Sequence, residues 1–386
     1  MGMYLGIGRK ARRCYGLDEV ALVPGGVTLN PNETDTSWEF CGHHFPIPII
    51  ASAMDGVVDV KFAIAMGKLG GLAVLNSEGV QTRYEDPSEV LAEIAAATSE
   101  EATHLVQDLY TPPIQEKLVT RRVQEIKEGD VPAAVSAIPQ RAEKFGKLAA
   151  DAGADFFVVQ STVTTVRHIS SEYETLDFEK FCREMPIPVV VGNTVGYDVS
   201  LELMETGIDG LLVGIGPGAA CTTRGVLGIG VPQVTATIDC AAARDFHYKF
   251  TGKYVPIITD GGMRAGGDIC KALACGADAV MVGSAFAQAE EAPGGGFHWG
   301  MATPHANLPR GTRIQVGTTG TLEEILLGPA RLDDGSQNLA GAIQTSMGNV
   351  GARNIHEFQL TELIIAPSIG TEGKVFQKAQ HVGMGK

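Results

Sequence analysis

Residues 214–224 read Gly-Ile-Gly-Pro-Gly-Ala-Ala-Cys-Thr-Thr-Arg, and the strong nucleophile in that run is the thiol of Cys221. Three glycines and a proline ahead of it force a tight turn with little side-chain bulk. Such a turn leaves backbone N–H groups open to an anion, and Thr222, Thr223 and Arg224 add donors and positive charge. A polar, cationic neighbourhood favours the thiolate, the form that attacks carbon. The run follows the apolar stretch Gly210-Leu211-Leu212-Val213, which predicts a buried strand ending where the loop begins.

Two further stretches carry complementary chemistry. Residues 259–264 read Thr-Asp-Gly-Gly-Met-Arg, and Gly283-Ser284 ends another apolar run. The N–H groups of Gly262 and Gly283 with the Ser284 hydroxyl suit a phosphate, whereas Asp260 would repel one. A carboxylate at that point suits the two hydroxyls of a ribose instead. Together these groups predict a site for a nucleoside monophosphate. Met54, Asp55, Asn76, Ser77 and Asn193, at the ends of other apolar runs, are expected to line it. Cys41-Gly42-His43-His44 lacks a second cluster at ligand spacing, so no zinc site is expected. No strand precedes the basic GIGRK stretch at 6–10, which reads as a solvated arm and not a nucleotide loop.

These groups need a frame that brings distant strand ends together. Apolar, β-branched runs recur at 47–53, 71–76, 131–138, 155–160, 188–193, 210–215, 256–261 and 279–284. Helix-like stretches lie between most of them, at 60–69, 140–152, 199–206 and 268–275. Runs without alternation mean burial on both faces, as in a parallel sheet. Eight such strands alternating with helices predict an α/β fold, a single-domain (β/α)8 TIM barrel, whose functional groups gather at the C-terminal strand ends. Residues 1–46 form an N-terminal extension, 289–336 a mobile lid inserted after strand 8, and 360–386 a C-terminal segment. Helix-like stretches at 339–343 and 349–358 close the barrel.

Composition supports that frame and narrows the partners. The 386 residues are 44% apolar and 6% aromatic with 48 glycines, a mix for many short buried strands joined by tight loops. A net charge of −15 argues against general nucleic-acid binding. Seven cysteines without a CxxC pair point to a reducing compartment, and no apolar run is long enough to span a membrane. A cytoplasmic location is expected.

With these residues on the page, a resemblance is clear. GLLVGIGPGAACTTRGVLGIGVPQ at 210–233 resembles the catalytic cysteine loop of the IMP dehydrogenase and GMP reductase family. LDEVALVP, PIIASAMD, TDGGMRAGGDICKALACGADAVMVGSAFA and SMGNVGA resemble it too, so the likeness covers nearly the whole chain. It implies a barrel, commonly a homotetramer, acting on IMP with NAD as cofactor. It implies that Cys221 attacks C2 of the purine and that Thr223 assists water or the leaving group. Asp260 would then hold the ribose, and Gly262, Gly283 and Ser284 the phosphate. Met54, Gly300 and Met301 would lie beside the base. Gln160, Ser161 and Asn193 would face the cofactor. Carbonyls of Gly214, Gly216 and Cys221 would offer a K+ site, joined by Glu372 and Gly373 of a neighbouring subunit.

Several positions depart from the family pattern. Ala219 stands where a phosphate-binding serine is usual, and Gln160 where dehydrogenases carry an aspartate. His298-Trp299-Gly300-Met301-Ala302-Thr303 replaces the usual YRGMGS, and Pro309-Arg310-Gly311 replaces PEG. The family's Arg-Tyr pair, whose arginine activates water, is missing. Arg310, Arg313 or His305 would have to stand in, with Arg310 the candidate catalytic group. The stretch 79–131 has no room for the paired CBS repeats that many dehydrogenases carry, so no CBS domain is expected. That length resembles the reductases, but VALVP, GVPQVTATIDC, EEAPGG and SMGNVGA resemble the dehydrogenases. The expected activity is oxidation of IMP to XMP in guanine nucleotide synthesis. The alternatives are NADPH-dependent GMP reduction and a purine-nucleotide-binding homologue without turnover.

Overall fold

The computed structural model describes residues 2–300, 311–370 and 373–385. Eight parallel strands close into one barrel, each paired with its neighbours in sequence. They are β1 (Ile49–Ala51), β2 (Leu72–Asn76), β3 (Ala134–Ala137), β4 (Phe156–Gln160), β5 (Val189–Thr194), β6 (Gly210–Val213), β7 (Ile257–Asp260) and β8 (Ala279–Val282). Each falls within or overlaps one of the eight apolar runs. Their register closes the ring through β8 and β1, where Met281 lies opposite Ile50.

Both faces of these strands are buried, which is why their sequences read as unbroken apolar runs. In β4, Phe156 and Val158 point into the barrel, while Phe157 and Val159 point out under the helices. The interior is packed with Ile50, Val74, Val190, Leu212, Ile258 and Met281. A two-stranded hairpin, Trp38–Phe40 with His43–Phe45, plugs the N-terminal mouth. Phe40 stacks on Phe156 at 5.0 Å between ring centres. Within that hairpin, His43 packs against Phe156 and His44 pairs with Glu39.

The outer layer contains α1 (Val60–Lys68), α4 (Glu116–Glu128), α5 (Ala142–Asp151), α6 (Phe178–Glu184), α7 (Tyr197–Glu205), α9 (Gln233–Thr251) and α10 (Gly266–Ala274). Asp59 starts α1 by accepting the Phe62 N–H at 2.7 Å. The spacing marks α1, α5, α7 and α10 clearly. It leaves α9 hidden, because β-branched Val234, Thr235, Thr237 and Ile238 crowd its first turns. The two closing helices differ from their expected limits. α12 (Leu339–Val350) runs past 343 and ends where Gly351 takes φ 78°, and α13 resumes at Ile355–Phe358.

Two stretches add to the barrel. Residues 79–131 hold α2 (Ser88–Ala96) and α3 (Ala102–Leu109) ahead of the crossover helix α4. Within 289–336 the described part is built, not bare loop. It has an antiparallel pair, β9 (Phe297–Trp299) with β10 (Arg313–Gln315), and the short helix α11 (Leu322–Leu326), started by a Thr321–Glu324 capping box. The N-terminal arm forms a small exposed hairpin, Met3–Gly6 with Arg9–Ala11. Among the described residues, no helix is long and apolar enough to cross a membrane.

Candidate active site

Because all eight strands run the same way, their C-terminal loops share one face. This alone brings residues 54, 160, 193, 214–224, 260–262, 283–284 and 300 within one mouth. The cysteine loop leaves β6 at Gly214, whose φ is 148°. A Cβ there would meet the Asp260 carbonyl at 2.4 Å, so only glycine lets β6 pass β7 so closely. Gln233, at the start of α9, clamps the two strand ends. Its Nε2 donates to the carbonyls of Val213 and Asp260, each at 2.9 Å.

The loop then folds onto the end of β7. A Cβ on Gly262 would lie 2.9 Å from Cβ of Pro217, and Gly261 and Gly262 both take positive φ. The Cys221 N–H donates to Gly218 O at 3.0 Å, which fixes the turn presenting the thiol. Cys221 is exposed, and its thiol donates to Oγ1 of buried Thr223 at 3.2 Å. A nucleophile and a hydroxyl thus meet at the loop's end, with the short helix α8 (Thr223–Leu227) behind them.

Asp260 is held from two sides. Asn193 Nδ2 donates to its Oδ2 at 2.8 Å and Gln160 Nε2 donates to the same oxygen at 3.1 Å. Gln160 also donates to Asn193 Oδ1 at 3.1 Å. Burial pushes the carboxyl up to about 6, and the two amide donors pull it partly back. Gln160 and Asn193, expected on the cofactor side, both join the carboxylate expected to hold ribose. Gln160 Nε2 uses both of its N–H groups there. Half-buried Ser161, the next residue, bonds Thr164 at 2.9 Å.

The wall toward β8 brings Met54, Gly283, Ser284 and Gly300 together. A Cβ on Gly283 would lie 3.0 Å from Met54 Sδ, and one on Gly300 would lie 3.8 Å from the Ala220 carbonyl, beside Cys221. Ser284 Oγ pairs with His298 Nε2 at 3.0 Å. Burial pushes His298 down to about 4, so it stands neutral beside Ser284. Met301 and Arg310, with His305 and Glu372, lie outside the described residues. Gly373 is described, with φ 60°.

Two expected lining residues, Ser77 and Asp55, and one candidate for activating water, Arg313, are placed elsewhere. Ser77 is buried and donates to the Ser136 carbonyl at 2.5 Å, tying β2 to β3. Asp55 is buried beneath Gly79, hydrogen-bonded by the Tyr110 hydroxyl. Arg313 is not free to activate water. It donates to the carbonyls of Ile94, Ala95 and Ala97, capping the C-terminal end of α2, and lies over the Phe297 ring.

Spacing did not reveal the link from α3 to the site. Trp299 Nε1 donates to the Tyr110 hydroxyl at 2.9 Å, and that hydroxyl donates to Asp55. Asp55 follows Met54, and Trp299 precedes Gly300, so one buried chain steadies the neighbours of Met54 and Gly300. Tyr110→Phe removes the shared hydroxyl, leaving the indole N–H unpaired and the Asp55 carboxylate short of one donor. Stability is expected to fall by about 1–3 kcal/mol, read as a lower denaturant midpoint.

An eight-stranded parallel barrel with an exposed thiol on its sixth loop, packed against the seventh, defines the class, the (β/α)8 barrels. The chain belongs to one family within it: the IMP dehydrogenase / GMP reductase domain matches residues 14–373. It is an oxidoreductase family. A Mycolicibacterium smegmatis protein described as an uncharacterized oxidoreductase is 39% identical over 94% of this chain and 99% of its own. An inosine-5'-monophosphate dehydrogenase of Methanocaldococcus jannaschii is 28% identical over 93% of this chain and 94% of its own. A crystal structure of an IMP dehydrogenase/GMP reductase-like protein from Corynebacterium glutamicum superposes with a TM-score of 0.89. It is 34% identical and covers 94% of this chain and 97% of that one.

Proposed function

We propose that the protein is an IMP dehydrogenase, converting IMP, NAD+ and water to XMP, NADH and a proton. The observation that carries this reading is the exposed Cys221 thiol, 3.2 Å from Thr223, in a loop packed on the loop that carries Asp260. Dehydrogenase-like stretches such as GVPQVTATIDC and EEAPGG favour it over the reductase, as do relatives described as inosine-5'-monophosphate dehydrogenases.

In this reading Asp260 accepts both ribose hydroxyls of the nucleotide. Gly262, Gly283 and Ser284 take the phosphate, and Met54, Gly300 and Met301 flank the base. The Cys221 thiolate adds to C2, forming the C–S bond as hydrogen leaves C2 with its electron pair. NAD+, when bound by Gln160 and Ser161, supplies the hydride acceptor. Water positioned by Thr223 then adds to C2, the C–S bond breaks, and the thiolate returns with loss of a proton. Arg310 is our candidate for activating that water. Exposed Ile238, Phe246, Tyr248 and Phe250 along α9 support assembly into a homotetramer. We place the protein in the cytoplasm.

Purified protein given IMP and NAD+ is expected to form reduced nicotinamide, followed by its absorbance. Silence in that assay, with NADPH oxidation and ammonia release on GMP, would move the assignment to GMP reductase. Tight IMP binding without turnover in either assay would leave a binding homologue.

A further inference from the structure

The carbonyls expected to bind potassium, those of Gly214, Gly216 and Cys221, belong to a loop that already contains a positive charge. Arg224 lies across it. Its Nε donates to the Ile215 carbonyl at 3.3 Å and its Nη2 to the Val231 carbonyl at 2.7 Å. One guanidinium therefore joins the outgoing and returning limbs of the loop.

Two glycines make room for it. A Cβ on Gly216 would lie 2.5 Å from Arg224 Cγ, and a Cβ on Gly230 would lie 2.7 Å from the same atom. Both limbs are thus shaped around this side chain. Partial burial lowers the Arg224 pKa, with Cys221 in the same loop opposing the shift. An arginine stays protonated throughout the working range. A monovalent ion bound against Gly216 would face this fixed charge of its own sign, at a distance where screening is incomplete. The loop as built fits the guanidinium and disfavours the ion.

We propose that Arg224 is the resident cation of the cysteine loop, so that the loop is organised, and its thiol kept reactive, without potassium. A metal ion in such a loop draws carbonyl oxygens together and fixes the turn. Arg224 does the same with two directed N–H bonds, supplied by the chain itself. The proposal deepens the reading of Cys221 as nucleophile, and its turnover arm rests on that reading.

The test compares the wild type, Arg224→Gln and Arg224→Lys in potassium chloride and in choline chloride at equal ionic strength. Three quantities are read: melting temperature, the alkylation rate of Cys221 by iodoacetamide, and turnover of IMP with NAD+. Alkylation is followed on the Cys221 peptide by mass spectrometry, which separates it from exposed Cys41. Wild-type alkylation and turnover are expected to agree between the salts within about twofold, with unchanged melting. Arg224→Gln in choline is expected to alkylate about tenfold more slowly, with potassium restoring much of the loss.

Potassium-specific gains in the wild type would overturn the proposal. So would an Arg224→Gln protein that matches the wild type in choline, or one that potassium does not restore. If Arg224→Gln does not fold, Arg224→Lys decides. It keeps the charge and is expected to stay indifferent to the salt, and a potassium requirement there refutes the idea. Alkylation and melting need no turnover, so a wild type silent with IMP and NAD+ counts against the proposed activity and leaves these two readouts standing.

Discussion

Cys221→Ala is expected to lower IMP-dependent turnover by at least about 10^4-fold while nucleotide binding is retained. The magnitude follows from what the thiol does. Without it no bond forms to C2, and no other side chain in the loop offers a comparable nucleophile. Thr223, bonded to the thiol, is buried, and a hydroxyl in that place is a far weaker nucleophile than a thiolate. Binding survives because the proposed ribose and phosphate groups sit on β7 and β8, whose geometry does not depend on Sγ. The turn itself is fixed by the Cys221 backbone N–H and by the Gln233 clamp, which alanine leaves in place. Two measurements separate these effects. Calorimetry with IMP is expected to give similar affinity for the wild type and the variant. Acid-quenched wild-type reactions with IMP and NAD+ are expected to yield a nucleotide adduct on the Cys221 peptide, absent from the variant. A variant that retains turnover would remove Cys221 from the mechanism.

The second large effect falls on Asp260. Asp260→Asn is expected to weaken nucleotide binding about 10- to 100-fold. A carboxylate accepts from both ribose hydroxyls, whereas an amide brings an N–H group toward donors already present. Gln160 and Asn193 both point N–H groups at Oδ2, so the replacement leaves one of them facing another donor or a rotated amide. The same residue sets a pH dependence. Burial raises its folded-state value to about 6, so the carboxylate is ionised above that pH and protonated below it. In the proposed mode the ribose hydroxyls bind the ionised form, so affinity is expected to fall as pH drops through about 6. A phosphate's second ionisation lies in the same range. Inosine, which lacks the phosphate, isolates the Asp260 share. Its affinity is expected to fall with pH in the wild type and to stay flat in Asp260→Asn. An equal slope in both would assign the titration to another group.

Much of this arrangement is legible in the chain. The eight strands are legible because burial on both faces leaves unbroken β-branched runs, and the direction of a parallel barrel then says which strand ends share a face. Cys221, Asp260, Gly283 and Ser284 fall on loops of one face for that reason. Less legible are residues whose roles depend on a partner far away in sequence. Asp55 and Ser77 have the polar types expected of a lining, yet one turns to Tyr110 and the other to Ser136. Arg313 has the right charge to activate water, yet the end of α2 lies where its guanidinium reaches. Nothing in local spacing distinguishes these outcomes.

The sequence by itself determined the barrel, the order of its loops, and the glycine turn that presents Cys221. All of these follow from local pattern: which residues are apolar, where glycine permits a turn, and which side chain is nucleophilic. Only the tertiary structure decided that Gln160 and Asn193 converge on Asp260, that Tyr110 ties Trp299 to Asp55, and that Arg224 spans the loop from Ile215 to Val231. Each of these pairings depends on directions and distances of a few ångströms across the closed ring. Such distances are set by packing all eight strands at once, which no single stretch of the chain encodes.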